Sequence, residues 1–170
     1  IQTMLDPADC GPACISISQD VQGESFDYPE VFFQERVHQI RRIHPDPNQI
    51  NDAANQLKNS SKPIIISGGG TLYSEAETEL SNFAKKHNIP VTATPMGIGC
   101  MTKDDPYYIS AIGALGEGSS NNLSKDTDLA LAVGTKLADF TTGSWANFEN
   151  PNFKLISVNT ARYDTTKHLA

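Results

Sequence analysis

Apolar residues recur at Ile50, Ala53, Ala54 and Leu57, an i, i+3, i+4, i+7 spacing that predicts one amphipathic helix just after Pro47. The run "PIIIS" follows at once, bounded by a proline and three glycines, and its brevity predicts a buried strand rather than a helix. "YSEAETELSNFAKKHN" then aligns Ala76, Leu80, Phe83 and Ala84 on one helical face. Its acids come first and Lys85, Lys86 and His87 last, the order the helix dipole favours. Further strands are predicted in "PVTATP", in a short segment ending near Gly113, in "DLALAVGTKL" and in "FKLISVNT". A poorly propensive helix from about Ser119 to Ser124 falls between the second and third of these. Continuous apolar strands alternating with helices predict an α/β fold, a three-layer Rossmann-like parallel sheet over residues 48–170.

The first 47 residues follow another pattern. "CISIS", Cys14 to Ser18, alternates as a single strand would, yet nothing before it supplies a sheet. Residues 1–20 are therefore expected to be the tail of a preceding domain. Residues 21–47 read as a connector whose Phe26, Tyr28, Phe32 and Phe33 carry enough apolar area to pack on another surface. At the other end, "TARYDTTKHLA" lacks the further strand and helix usual in a doubly wound sheet, so the pattern predicts a chain cut at both ends.

Charge and composition narrow the function. Thirteen Lys and Arg stand against twenty Asp and Glu, a formal charge of -7, and no dense basic patch occurs, which argues against nucleic acid. The apolar runs are too short to cross a bilayer and the first residues show no leader pattern, so a cytoplasmic, membrane-free protein is expected. Three cysteines suit a reducing compartment, and Cys10 and Cys14, four apart without a matching pair, read as small apolar positions rather than metal ligands.

Candidate chemistry gathers at predicted strand ends. Gly68, Gly69 and Gly70, with Gly113 and with Gly134 beside Thr135, would line one edge of the sheet, where open α/β sheets bind ligands. Two readings stand side by side: glycines that let a phosphate approach helix amides, and glycines that let strand ends pack closely. His38, His44, His87 and His168 show no metal-ligand spacing, and His87 reads as a dipole-compensating helix end. Ser144 lacks the second glycine of a nucleophile elbow, and Asp139 and Asp164 read as solvated loop acids. No catalytic residue and no metal ligand is assigned.

With that order of elements in place, "GPACISISQDVQGESFDYPEVFF", the proline-rich joint and "KPIIISGGG" resemble the thiamine diphosphate enzymes of the acetolactate synthase type over nearly the whole chain. "QDVQGESFDYPEVFF", "DFTTGSWANF" and "NTARYDTTKH" are similar to one branch, the cyclic dione hydrolases of inositol breakdown. The resemblance implies thiamine diphosphate and magnesium, both held outside this segment, a small cyclic dione as substrate, and a fragment inactive alone. It implies as partners the other domains of a parent chain and a homo-oligomer, with Phe32, Phe33, Trp145 and Phe148 as interface candidates. FAD, which some relatives hold at this edge, is put in doubt, because Lys136 replaces an arginine and Asn159 replaces a ribose-binding aspartate.

Overall fold

The computed structural model describes residues 1–167, which form two compact units, Ile1–Ile43 and the residues from His44 onward. His168 lies outside the described residues.

The first unit holds a short helix α1 (Gln2–Leu5), two single 3-10 turns at Val21–Gly23 and Glu30–Phe33, and otherwise irregular chain. Residues 14–18 do not form the expected strand: a strand needs a ladder partner, and this unit contains none. Every residue from Ile1 to Ile43 is exposed or only partly buried, including Cys10 and Cys14, which are not the packed positions the sequence suggested. Local ties replace a core. Asp6 accepts from the Ala8 amide at 2.9 Å and pairs with Arg41 at 2.8 Å, and these partners hold its carboxyl below the usual range. Tyr28 meets Phe26, Phe32 and Phe33 with ring centroids 4.9 to 6.2 Å apart, yet all four rings remain mostly exposed.

The second unit is the predicted α/β domain. Helix α2 (Pro47–Lys58) starts where Asp46 accepts from the Asn48 and Gln49 amides and Pro47 presets the first turn. Strand β1 (Pro63–Ser67), the short helix α3 (Gly69–Tyr73) and helix α4 (Glu77–His87) follow. Helix α4 ends at Asn88 in the left-handed conformation, φ 54°, with His87 exposed and its ring tilted against Phe83, centroids 4.5 Å apart. Then come β2 (Val91–Ala93), β3 (Tyr108–Ala111), α5 (Gly118–Lys125), β4 (Leu129–Val133), α6 (Asp139–Thr142), β5 (Lys154–Val158) and α7 (Arg162–Thr166).

All pairings are parallel, in the order β3-β2-β1-β4-β5. Because side chains alternate across a strand, β1 feeds two cores. Ile65 joins Leu80, Ala84, Ile89 and Val91 on the face covered by α4, with Leu57 of α2 packed against them. Ile64 and Ile66 join Ala130, Ala132 and Leu137 on the opposite face. That second face is covered by Trp145, Phe148 and Phe153, the last two stacked with centroids 4.5 Å apart. The loop "DFTTGSW" thus turns the chain's single tryptophan back under the sheet, through Gly143 at φ 58° and Trp145 itself at φ 69°.

The strand starts are fastened by one carboxylate. Asp128 accepts from the Ser60 hydroxyl, from the Ser61 amide at 2.7 Å and from the Lys62 amide at 3.0 Å, while its own carbonyl accepts from Lys154 at 2.9 Å. Burial pushes this carboxyl up, but the Ser60 hydroxyl and the two amides outweigh it and leave the pKa lowered.

Candidate functional site

The order of the strands places a topological switch between β1 and β4, and the crevice beyond their C-terminal ends is where doubly wound sheets bind ligands. Gly68, Gly70 and Gly134 meet there, while Gly69 lies against Met96 and Gly113 against Phe140 and Thr141. Their neighbours decide between the two readings.

A Cβ on Gly68 would lie 2.3 Å from the Gly134 carbonyl oxygen, and one on Gly70 would lie 2.6 Å from Gly134 Cα. Gly134, at φ 59°, faces Gly70 in return. The Gly68 amide donates to Val133 O at 2.8 Å and the Gly70 amide to Gly134 O at 2.9 Å. The loop after β1 is therefore stitched to the end of β4, and two of the amides that would face a phosphate already have partners. Gly69 lies against the Met96 backbone, with a Cβ there only 3.2 Å from Met96 O. These glycines serve close packing of backbone on backbone.

Thr135 and Asn159 continue the stitching. The Thr135 hydroxyl accepts from the Leu137 amide at 3.2 Å, and Asn159 donates to Thr135 O at 3.1 Å while accepting from the Ala161 amide at 3.1 Å. Asn159 thus ties the end of β5 to the end of β4. Sequence reasoning missed the corresponding tie at β3. Asn121 of α5 accepts from the Gly113 amide and donates to the Gly113 carbonyl, each at 2.9 Å, and also accepts from Asn147 at 3.1 Å. Gly113 needs no side chain here: its φ is 102°, and a Cβ would sit 2.0 Å from Phe140 O. The signal was present as an asparagine pair one turn into a weak helix, but nothing in its spacing distinguishes a bidentate clamp from a solvated residue.

Cys100 is fully buried and burial pushes its thiol up, so the reactive thiolate is scarce near neutral pH. Asp164 is not the solvated acid the sequence suggested: it is buried on α7 and pairs with Lys167 at 3.0 Å. Asp139 is exposed at the start of α6, and the Ser144 backbone, at φ 55°, belongs to the Trp turn. The Lys85 ammonium, 2.9 Å away, holds the Asp105 carboxyl down, with the Tyr107 amide and Ser81 hydroxyl as further partners. Among the described residues no group of three or more His, Cys, Asp or Glu could hold a metal ion, and none of their helices is long and apolar enough to cross a membrane. With the Gly68, Gly70, Gly113 and Gly134 amides engaged and no carboxylate cluster among them, the described residues do not fit a thiamine diphosphate and its metal.

Of the interface candidates, Trp145 and Phe148 are partly buried and lend area to the second core, whereas Phe32 and Phe33 stay exposed within the first unit.

An all-parallel five-stranded sheet of order 3-2-1-4-5, with the ends of β1 and β4 in backbone contact, describes a doubly wound α/β domain. The description "Thiamine pyrophosphate enzyme, central domain" fits residues 50–170, and the chain belongs to that family. A protein of Clostridium botulinum (strain Alaska E43 / Type E3) called 3D-(3,5/4)-trihydroxycyclohexane-1,2-dione hydrolase is 44% identical over 167 residues, 98% of this chain. Proteins of the same name from Clostridium perfringens (strain 13 / Type A) and Bacillus cereus (strain 03BB102) are 42% and 37% identical over 96% and 98% of the chain. In each case the match covers 26% of the relative, so the chain spans about a quarter of the length of these curated relatives.

Proposed function

We propose that the chain is the central, non-catalytic part of a longer thiamine diphosphate-dependent hydrolase. Its reaction is cleavage of a carbon–carbon bond of trihydroxycyclohexane-1,2-dione to give 5-deoxyglucuronate, a step of myo-inositol catabolism in the cytoplasm. The observation that carries this reading is identity of 37 to 44% across nearly the whole chain with relatives that bear the hydrolase name.

In this reading thiamine diphosphate and magnesium are held by the polypeptide outside residues 1–170. The role of these residues is positional. The sheet domain is a rigid spacer, and the first unit presents its four mutually packed, exposed aromatic rings to the other domains of the parent or to a second subunit of a homo-oligomer. The engaged amides of Gly68 and Gly70 support a domain that carries no FAD.

The test is to assay the full-length protein with thiamine diphosphate and magnesium for release of 5-deoxyglucuronate, alongside residues 1–170 alone. Turnover by the full-length protein and none by the segment is expected. An intact dione after incubation with the full-length protein refutes the substrate; turnover by the segment refutes its non-catalytic role. A flavin absorbance band in the purified full-length protein refutes the absence of FAD.

A further inference from the structure

Six of the nine large exposed apolar side chains described in the sheet domain gather on one edge, the others being Ile50 on α2, Tyr73 on α3 and Leu123 on α5. Met96 and Ile98 follow β2, Leu115 follows β3, Phe140 stands on α6 after β4, Val158 closes β5 and Tyr163 stands on α7 beyond it. Each is half or more exposed, Met96 at 77% and Tyr163 at 76%. Because every strand runs the same way, all these positions lie at the C-terminal edge of the sheet.

Single exposed apolar residues need no explanation, but a concentration on one edge marks an interaction surface. The loops that carry them are mutually fixed: the Ala114 amide donates to Phe140 O at 2.7 Å, and a Cβ on Gly97 would lie 2.1 Å from Ser67 O. The surface is therefore preformed. It is also poor in free donors, since the Gly68, Gly70, Gly113 and Gly134 amides all have partners. Its exposed charges balance, Lys136 and Arg162 against Glu117 and Asp139, so no net field selects an anionic or cationic ligand.

We propose that this edge is the docking surface for another domain of the same longer polypeptide, one that meets it with apolar side chains rather than with a phosphate group. The proposal rests on the reading of the chain as part of a longer enzyme. The occupant follows from length and chemistry together. The relatives carry about three quarters of their polypeptide outside the matched region, and the engaged amides leave little for a nucleotide to bind. An apolar domain face is the partner that this combination fits.

Hydroxyl-radical footprinting of the full-length protein, read by mass spectrometry at Met96, Phe140 and Tyr163, tests it. Docking predicts that each reacts at least about fivefold more slowly than in the unfolded full-length protein, at every protein concentration and without added ligand, because a docked core excludes water. The variant Phe140→Asp then restores labelling at Met96 and Tyr163. Less than about fivefold protection means a free, wet edge and overturns the proposal. Protection that vanishes when light scattering shows dilution to a monomer assigns the edge to a second copy, and protection that appears only with ADP or FAD assigns it to a nucleotide; either overturns it. The readout needs no turnover, so failure of the dione assay leaves this result standing, and the reverse also holds.

Discussion

The two readings of the glycine turn separate under a single methyl group. In Gly68→Ala the added Cβ would meet the Gly134 carbonyl oxygen at 2.3 Å and the Thr135 Cβ and Cα at 2.6 and 2.7 Å. These atoms belong to the end of β4 and the residues after it, not to a flexible side-chain tip, so relief requires the ends of β1 and β4 to part. Parting strains the Gly68 to Val133 and Gly70 to Gly134 hydrogen bonds, each contributing about 1 kcal/mol net. Overpacking adds about 1–3 kcal/mol. The expected loss is therefore about 3–5 kcal/mol, or roughly 6–20 °C in Tm for a domain of this size. Gly118→Ala is the control, since a Cβ there meets nothing within 4 Å and the residue opens α5. It should leave Tm unchanged or raise it, by up to about 1 kcal/mol of stability. Thermal unfolding followed by Trp145 fluorescence reads both, because that ring packs on the second core. A Gly68→Ala protein whose Tm stays within about 1 °C of the parent would refute the backbone-contact argument and return the turn to the phosphate reading.

Two further outcomes are expected. Asn121→Ala removes both hydrogen bonds to Gly113 and the one from Asn147, and should cost about 1–3 kcal/mol in urea unfolding; a change below about 0.5 kcal/mol would show that water replaces the clamp. Acid should destabilise the domain through Asp105 and Asp128, whose folded pKa values lie below the unfolded value of about 3.9. The unfolded chain then binds more protons as pH falls, so their stabilisation, complete above that value, is lost below it. A urea midpoint that is flat from neutral pH down to about 2.5, or one that is as acid-sensitive in Asp128→Asn as in the parent, would contradict this assignment.

Most of the sheet was legible in the sequence because its signals are strong and local. "PIIIS" and "LALAV" are apolar on both faces, as buried parallel strands must be, and α4 carries its core face, its charge order and its left-handed Asn88 within a dozen residues. The strand predicted at residues 14–18 failed for the complementary reason. Alternation is a local signal, but a strand is a pairwise object, and the first unit offers no second strand. The purpose of the glycines stayed open between two readings in the sequence, since their spacing is the same whether the space beside them holds a phosphate or the backbone of β4. Asn121 left only an ambiguous local trace, an asparagine pair in a weak helix, because its partners at Gly113 and Asn147 are brought to it only by the fold.

The closure of the crevice and the apolar character of its rim have one physical origin. A nucleotide site needs amides left unpaired and space left beside glycines, and both make strand ends loose unless the ligand is bound. Here the same groups are turned inward: Gly68 and Gly70 onto β4, Gly113 onto Asn121, and Gly134 onto Val158 O at 2.8 Å. The edge becomes self-supporting, and with its polar groups satisfied what remains facing outward is largely side chain, much of it apolar. Such a surface gains most from meeting another apolar surface, about 25 cal/mol for each Å² removed from water, and gains little from a phosphate. A domain built this way holds its loops in place without a ligand, as the spacer role proposed above requires.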